Sequence, residues 1–148
     1  MAAFVAPGLE TGRVESRTSH IDILPTILDA MEVVVTSEST GAVVGQADPA
    51  RPVYSNHYNE YGTAQAVESL NTRLIVSWGD GGVGYAGLYN LATDPGERRN
   101  LYGKSQERAQ SLFDLLGEQS AAMAEINGET APTWDQLELL EIEIPPPH

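Results

Sequence analysis

Four short segments rich in β-branched and aromatic residues follow one another at Val53–Tyr58, Ala64–Ser69, Arg73–Trp78 and Gly84–Leu91. Turn-forming residues fill the gaps, above all Gly79-Asp80-Gly81-Gly82, and the gaps are too short for crossover helices. This spacing predicts an antiparallel meander, and it limits the fold more than any other feature of the chain. A helix with an apolar stripe should lie across one face of such a sheet. That helix is legible downstream. Ser105 can cap a helix running to about Ile126 and ended by Asn127-Gly128. Ala109, Leu112, Phe113, Leu116, Met123 and Ile126 form one apolar stripe on it, with Glu107, Arg108, Gln110, Asp114 and Glu118 on the other side. The predicted class is α+β: a small antiparallel β-sheet with a long C-terminal helix packed on it.

Upstream, Phe4-Val5 reads as a strand end turned by Pro7-Gly8. Ile21, Leu24, Ile27, Leu28 and Met31 recur at helical spacing behind a start signal at Thr18-Ser19. Pro25 fits only a first turn, so this helix is expected from about His20 to Met31. Residues 33–52 are Ser, Thr, Gly, Ala and Val with little periodicity and read as a connecting loop holding at most one short strand. From Glu129 the chain is acidic and ends Pro145-Pro146-Pro147-His148, a composition expected to be poorly ordered. The N-terminus lacks the basic region and apolar run of a signal peptide. It reads as a chain that starts inside a larger fold.

Composition narrows function by exclusion. Lys and Arg total 8 against 21 Asp and Glu, a net charge of −13. That balance argues against nucleic acid and against anionic membrane surfaces, both of which demand cations. There is no cysteine, which removes disulfides, thiolate metal sites and cysteine nucleophiles. No run approaches the roughly 18–20 apolar residues of a membrane helix. At 148 residues there is room for a single hydrophobic core.

Several motifs have ordinary structural readings. Gly82-Val83-Gly84-Tyr85-Ala86-Gly87 matches G-x-G-x-x-G, but the alternating Leu88-Tyr89-Asn90-Leu91 follows where a phosphate-binding helix would have to begin. It reads as a hairpin. His20, His57 and His148 form no ligand pair, and no D-x-D-x-D-G calcium loop or G-x-S-x-G nucleophile is present. No catalytic and no metal-binding residue is assigned. His57, Tyr58, Asn59 and Glu60 lie in the densest polar and aromatic cluster, suited to contacts with a sugar or other polar ligand. The ordinary alternative is a strand end whose aromatics pack on the sheet.

Two segments in order resemble the C-terminal part of a sulfatase, in the alkaline phosphatase superfamily. Pro7-Gly8-Leu9 through Gly12-Arg13 to Ser19-His20-Ile21-Asp22-Ile23-Leu24-Pro25-Thr26-Ile27-Leu28 resembles the stretch leading into the last helix of the family's main domain. Leu88-Tyr89-Asn90-Leu91-Ala92-Thr93-Asp94-Pro95-Gly96-Glu97-Arg98-Arg99-Asn100-Leu101 is similar to the LYDL-x-x-DP-x-E-x-x-NL signature of its small C-terminal subdomain, with Asn90 in place of the usual Asp. Asp22, Pro25, Thr26, Asp94, Pro95, Glu97 and Asn100 are the family's structural motif positions. Asp22 and Glu97 are expected to accept backbone amide hydrogen bonds, and Leu101 to return the chain to the core.

The resemblance implies a division into the end of the main α/β domain (1–32), a connecting loop (33–52), the C-terminal subdomain (53–128) and an acidic tail (129–148). In the full-length family a formylglycine, made from Cys or Ser in C/S-x-P-x-R, and a bound calcium act on sulfuric esters; that equipment lies upstream of the segment matched here. Ala47-Asp48-Pro49-Ala50-Arg51 reproduces x-P-x-R, but Ala cannot become formylglycine, and the match reads as coincidence. The resemblance thus implies the C-terminal fragment of a sulfatase-type hydrolase, inactive alone and without a cofactor of its own, structural and shaping the substrate pocket. The alternatives are the same part of a phosphodiesterase or phosphonate monoester hydrolase, or a non-catalytic binding or assembly module. Expected partners are an upstream catalytic domain, in the same or a separate chain, and a sulfated small molecule or glycan. Self-association through apolar surface is also expected. A periplasmic or secreted location follows from the resemblance alone.

Overall fold

The computed structural model describes residues 12, 14, 17–34, 41–59, 62–79, 82–127 and 133–138. The predicted strand end at Phe4-Val5 and the turn at Pro7-Gly8 lie outside them. The chain divides into two compact units, Met1–Val53 and Tyr54–His148.

In the first unit, a 3-10 turn at His20–Asp22 leads into helix α1, Ile23–Ala30. The expected single helix is thus two segments. The tighter first turn lets Asp22 reach back to the Ser19 amide (2.8 Å). Pro25 is the third residue of α1, where no intrahelical donor is lost. Residues 41–52 contain turns and no strand, closed by Gln46 N–H to Val43 O and Arg51 N–H to Asp48 O. The apolar residues of α1 face outward: Leu24 is 63% and Met31 65% exposed, with Ile21, Ile23 and Ile27 exposed beside them.

The second unit holds the meander: β1 Val53–Asn59, β2 Gly62–Ser69, β3 Thr72–Gly79 and β4 Gly82–Asn90, in spatial order β1-β2-β3-β4. Strands β2–β3 and β3–β4 pair antiparallel, and the class is α+β as the sequence predicts. Leu70 and Asn71 both have positive φ, which gives the two-residue β2–β3 turn the twist its strands require. Register places Val67 opposite Leu74 and Leu74 opposite Leu88, with Val76 opposite Ala86. All five are buried on one face.

Helix α2, Gln106–Asn127, covers that face with Ala109, Leu112 and Leu116, half of the predicted stripe. Phe113 packs at its margin, whereas the Met123 and Ile126 side chains lie outside the described residues. Each fully buried Leu or Val contributes about 1.5–3 kcal/mol. Arg108, expected on the outer side, instead donates to Ser69 O at 3.1 Å. Its long stem lets it reach the end of β2.

The expectation of a poorly ordered tail is corrected at Trp134–Glu138, which form helix α3. Leu137 is fully buried in the core, and its carbonyl accepts from Tyr102 Oη at 2.9 Å. Trp134 packs on Tyr102 and Phe113, with ring centroids 6.3 and 5.7 Å away. An acidic composition hid two apolar anchors at helical spacing.

Candidate functional site

In the first unit the motif residue Asp22 is 1% exposed yet charged. Burial alone would raise its pKa. The hydrogen-bonded Arg51 guanidinium, with the Ala42 and Ser19 amides, outweighs that and holds it down to about 2. Arg51 is bidentate, Nη1 to Oδ1 at 2.9 Å and Nη2 to Oδ2 at 2.7 Å. Ala42 N–H donates to Oδ1 at 2.9 Å.

Thr26 Oγ1 donates to Asp22 O at 2.5 Å and accepts Val44 N–H at 2.9 Å. A Cβ on Gly41 would sit 2.0 Å from Ile21 O, so only glycine lets the loop lie this close to the turn. The x-P-x-R frame has a role after all. Asp48 Oδ1 accepts Ala50 N–H at 2.8 Å, and the resulting turn presents Arg51 to Asp22. The role is structural, and no local signal links two residues so far apart in sequence.

In the second unit the downstream motif closes a sheet edge. Asn100 Oδ1 accepts from Leu88 N–H (3.0 Å) and Tyr102 N–H (2.9 Å), while Nδ2 donates to Ala86 O (3.0 Å). Leu101 N–H adds a bond to Leu88 O at 2.8 Å. Edge strand β4 therefore has its outer backbone engaged at Ala86 and Leu88. Asp94, in the predicted turn with Pro95, accepts the amides of Arg98 (3.1 Å) and Arg99 (2.8 Å), and these bonds lower its pKa. Glu97 departs from expectation: it has positive φ and pairs with the Arg73 side chain, which also binds Glu68 at 2.7 Å. Burial raises the Tyr89 pKa, and a hydrogen bond to the Tyr85 hydroxyl adds to it.

Of the four candidate contact residues, His57 is exposed on β1. Tyr58 and Asn59 continue that strand, their side chains outside the described residues, as is Glu60 altogether. His57 borders an open cleft of about 270 Å³, with Gly62, Thr63, Ala64, Ser77, Trp78, Gly79 and Gly84. Thr63 and Trp78 are paired across β2 and β3. A bulge makes the cleft: register slips between Ser77 and Trp78, which face Tyr85 and Val83 and leave Gly84 unpaired. Sequence reading missed Thr63, Ser77 and Trp78, although the glycines flanking them marked the strand ends.

Among the described residues, neither group implied by the resemblance finds a matching set of side chains. Among the described residues no three His, Cys, Asp or Glu converge to hold a metal. The Asp22 oxygens are engaged by Arg51, Ser19 and Ala42, and Ala47 stands where formylglycine formation needs Cys or Ser. No step through calcium or formylglycine is assigned here.

No protein-family model and no curated protein matches the sequence. Solved structures do. One is BT4656, determined in complex with its substrate D-glucosamine-2-N,6-O-disulfate: 24% identity and TM-score 0.56 over 68% of this chain and 23% of that one. Another is a Bacteroides thetaiotaomicron VPI-5482 protein described as a candidate sulfatase: 22% identity and TM-score 0.57 over 78% of this chain and 27% of that one. The chain spans about a quarter of the length of these structures. Its fold is therefore that of a portion of sulfatase structures, in agreement with the resemblance carried by the two motifs.

Proposed function

We propose that the chain is the C-terminal portion of a sulfatase-type hydrolase, non-catalytic by itself, which braces a catalytic domain and borders its substrate pocket through His57. The carrying observation is the fold match to about a quarter of two longer structures, one of them holding a sulfated amino sugar. The outward apolar face of α1 supports the reading, because an eight-residue helix is marginal without a buried face. The remaining part of the hydrolase would cover it. Without that part, self-association through the same face is expected.

The test is to extend expression into the coding region upstream and assay both polypeptides on an aryl sulfate and an aryl phosphodiester. The extended protein should cleave the sulfate, and the present chain should cleave neither. Turnover by the present chain, or an upstream region without a C/S-x-P-x-R segment, would overturn the proposal. Preference for the diester would move the parent to the phosphodiesterase branch.

A further inference from the structure

We propose that Leu140–Ile144 add to the open half of the β4 edge as a fifth strand and close the sheet there. This closure is a property of the second unit and does not rest on the hydrolase reading.

The β4 edge changes character along its length. Residues Ala86–Tyr89 are buried, with Asn100 and Leu101 bonded to Ala86 and Leu88. In the stretch before them, Gly82, Gly84 and Tyr85 are exposed, and the bulge leaves Gly84 without a partner on β3. Among the described residues, no backbone bond reaches Gly82–Tyr85 from outside the sheet. This half of the edge also carries no Lys and no Pro, the residues that protect an edge left open.

The sequence supplies a match. Leu140-Glu141-Ile142-Glu143-Ile144 alternates strictly, which puts three apolar side chains on one face of a strand and two carboxylates on the other. A sheet covered on one face by α2 requires that pattern of an added strand. Continued from α3 as a helix, the same residues would turn Leu139 and Ile142 away from the side of Leu137 and Ile144. Pro145 favours extended backbone at Ile144.

Position selects β4. Helix α3 contacts that strand. Leu137 is fully buried and accepts from Tyr102 Oη, and the Tyr102 amide shares the Asn100 oxygen with Leu88 N–H. The residues after α3 therefore start beside the β4 edge. From Leu88 to Gly84 is about 13 Å along the strand, and Leu139–Ile144 reach about 20 Å when extended. The opposite edge, β1, lies three strand spacings away, about 14 Å. Crossing to it would use most of the segment before pairing began.

The experiment is NMR on the isotope-labelled whole chain. Expected are strand-type carbon shifts over Leu140–Ile144, slowed exchange at every second amide of that segment, and cross-strand proton contacts to Gly82–Tyr85. A mixture of differently labelled chains should place those contacts within one chain. Ile142→Asp, which sets a carboxylate on the covered face, should abolish the contacts and speed the slowed amides by about tenfold or more, with Leu112 still protected. Ile142→Val should keep both. Helix-type shifts, coil shifts with no slowed amide, contacts to Ser55–His57 or to Ile27, or contacts only between chains would each overturn the proposal.

Discussion

The two units of this chain solve the burial problem in opposite ways. Around the sheet, Leu74, Leu88, Leu112, Leu116 and Leu137 are inside. Polar bonds such as those of Asn100 only finish the edges. Around α1, the apolar residues are outside, and the buried side chains among the described residues are polar: Thr26, and Asp22 bound by Arg51 and two amides. A buried ion pair gives geometric definition but little net stability, because desolvation offsets attraction. The first region is thus held in shape by polar contacts, while its apolar residues lie on the surface. The second can stand on its burial.

The comparison can be broken most severely through the core. Leu112→Ala should cost the second unit about 2–5 kcal/mol, read as a lower urea midpoint by tryptophan fluorescence. Both tryptophans, Trp78 and Trp134, belong to that unit, so the signal reports it alone. Asp22→Asn should cost the first unit about 2–3 kcal/mol, less than a fully buried pair because Arg51 keeps some contact with water. Its signature is lost amide protection at Ala42 with the fluorescence midpoint unmoved. A shift of that midpoint would contradict the separation.

Acid should produce the same loss in the unaltered chain. The folded pKa of Asp22 lies near 2 against an ordinary 3.8. The contribution, about 2 kcal/mol, is therefore complete above 3.8 and disappears as pH falls through about 2. Asp22→Asn should lack this step in an exchange-versus-pH series. Smallest is Glu97→Gln, at about 0.5–1 kcal/mol, because the ion pair is partly solvated and Arg73 keeps Glu68. A double-mutant cycle with Arg73→Gln measures it.

What the residues declared in advance follows the range of the forces involved. The strands were legible to within two residues, because alternation and turn chemistry are local. So was α2, whose stripe at Ala109, Leu112 and Leu116 needs only a helical period. The Asp22–Arg51 pair was not, since nothing near Arg51 distinguishes it from a surface cation. Glu97 was given the amide role that Asp94 fills, because a positive φ at Glu97 redirects its side chain to Arg73. At the candidate site, His57 was visible as part of a polar aromatic cluster. Thr63, Ser77 and Trp78 became its neighbours only through register and a bulge, which no local pattern encodes.

The account turns on whether α1 is a surface waiting for the rest of a larger hydrolase. Amide hydrogen exchange on the chain alone, and again within the upstream-extended protein, measures this directly. The account predicts that amides of Ile27 and Leu28 exchange far faster than that of Leu112 in the chain alone and become protected in the extended protein. Equal protection of α1 and α2 in the chain alone, or no gain on extension, would contradict it.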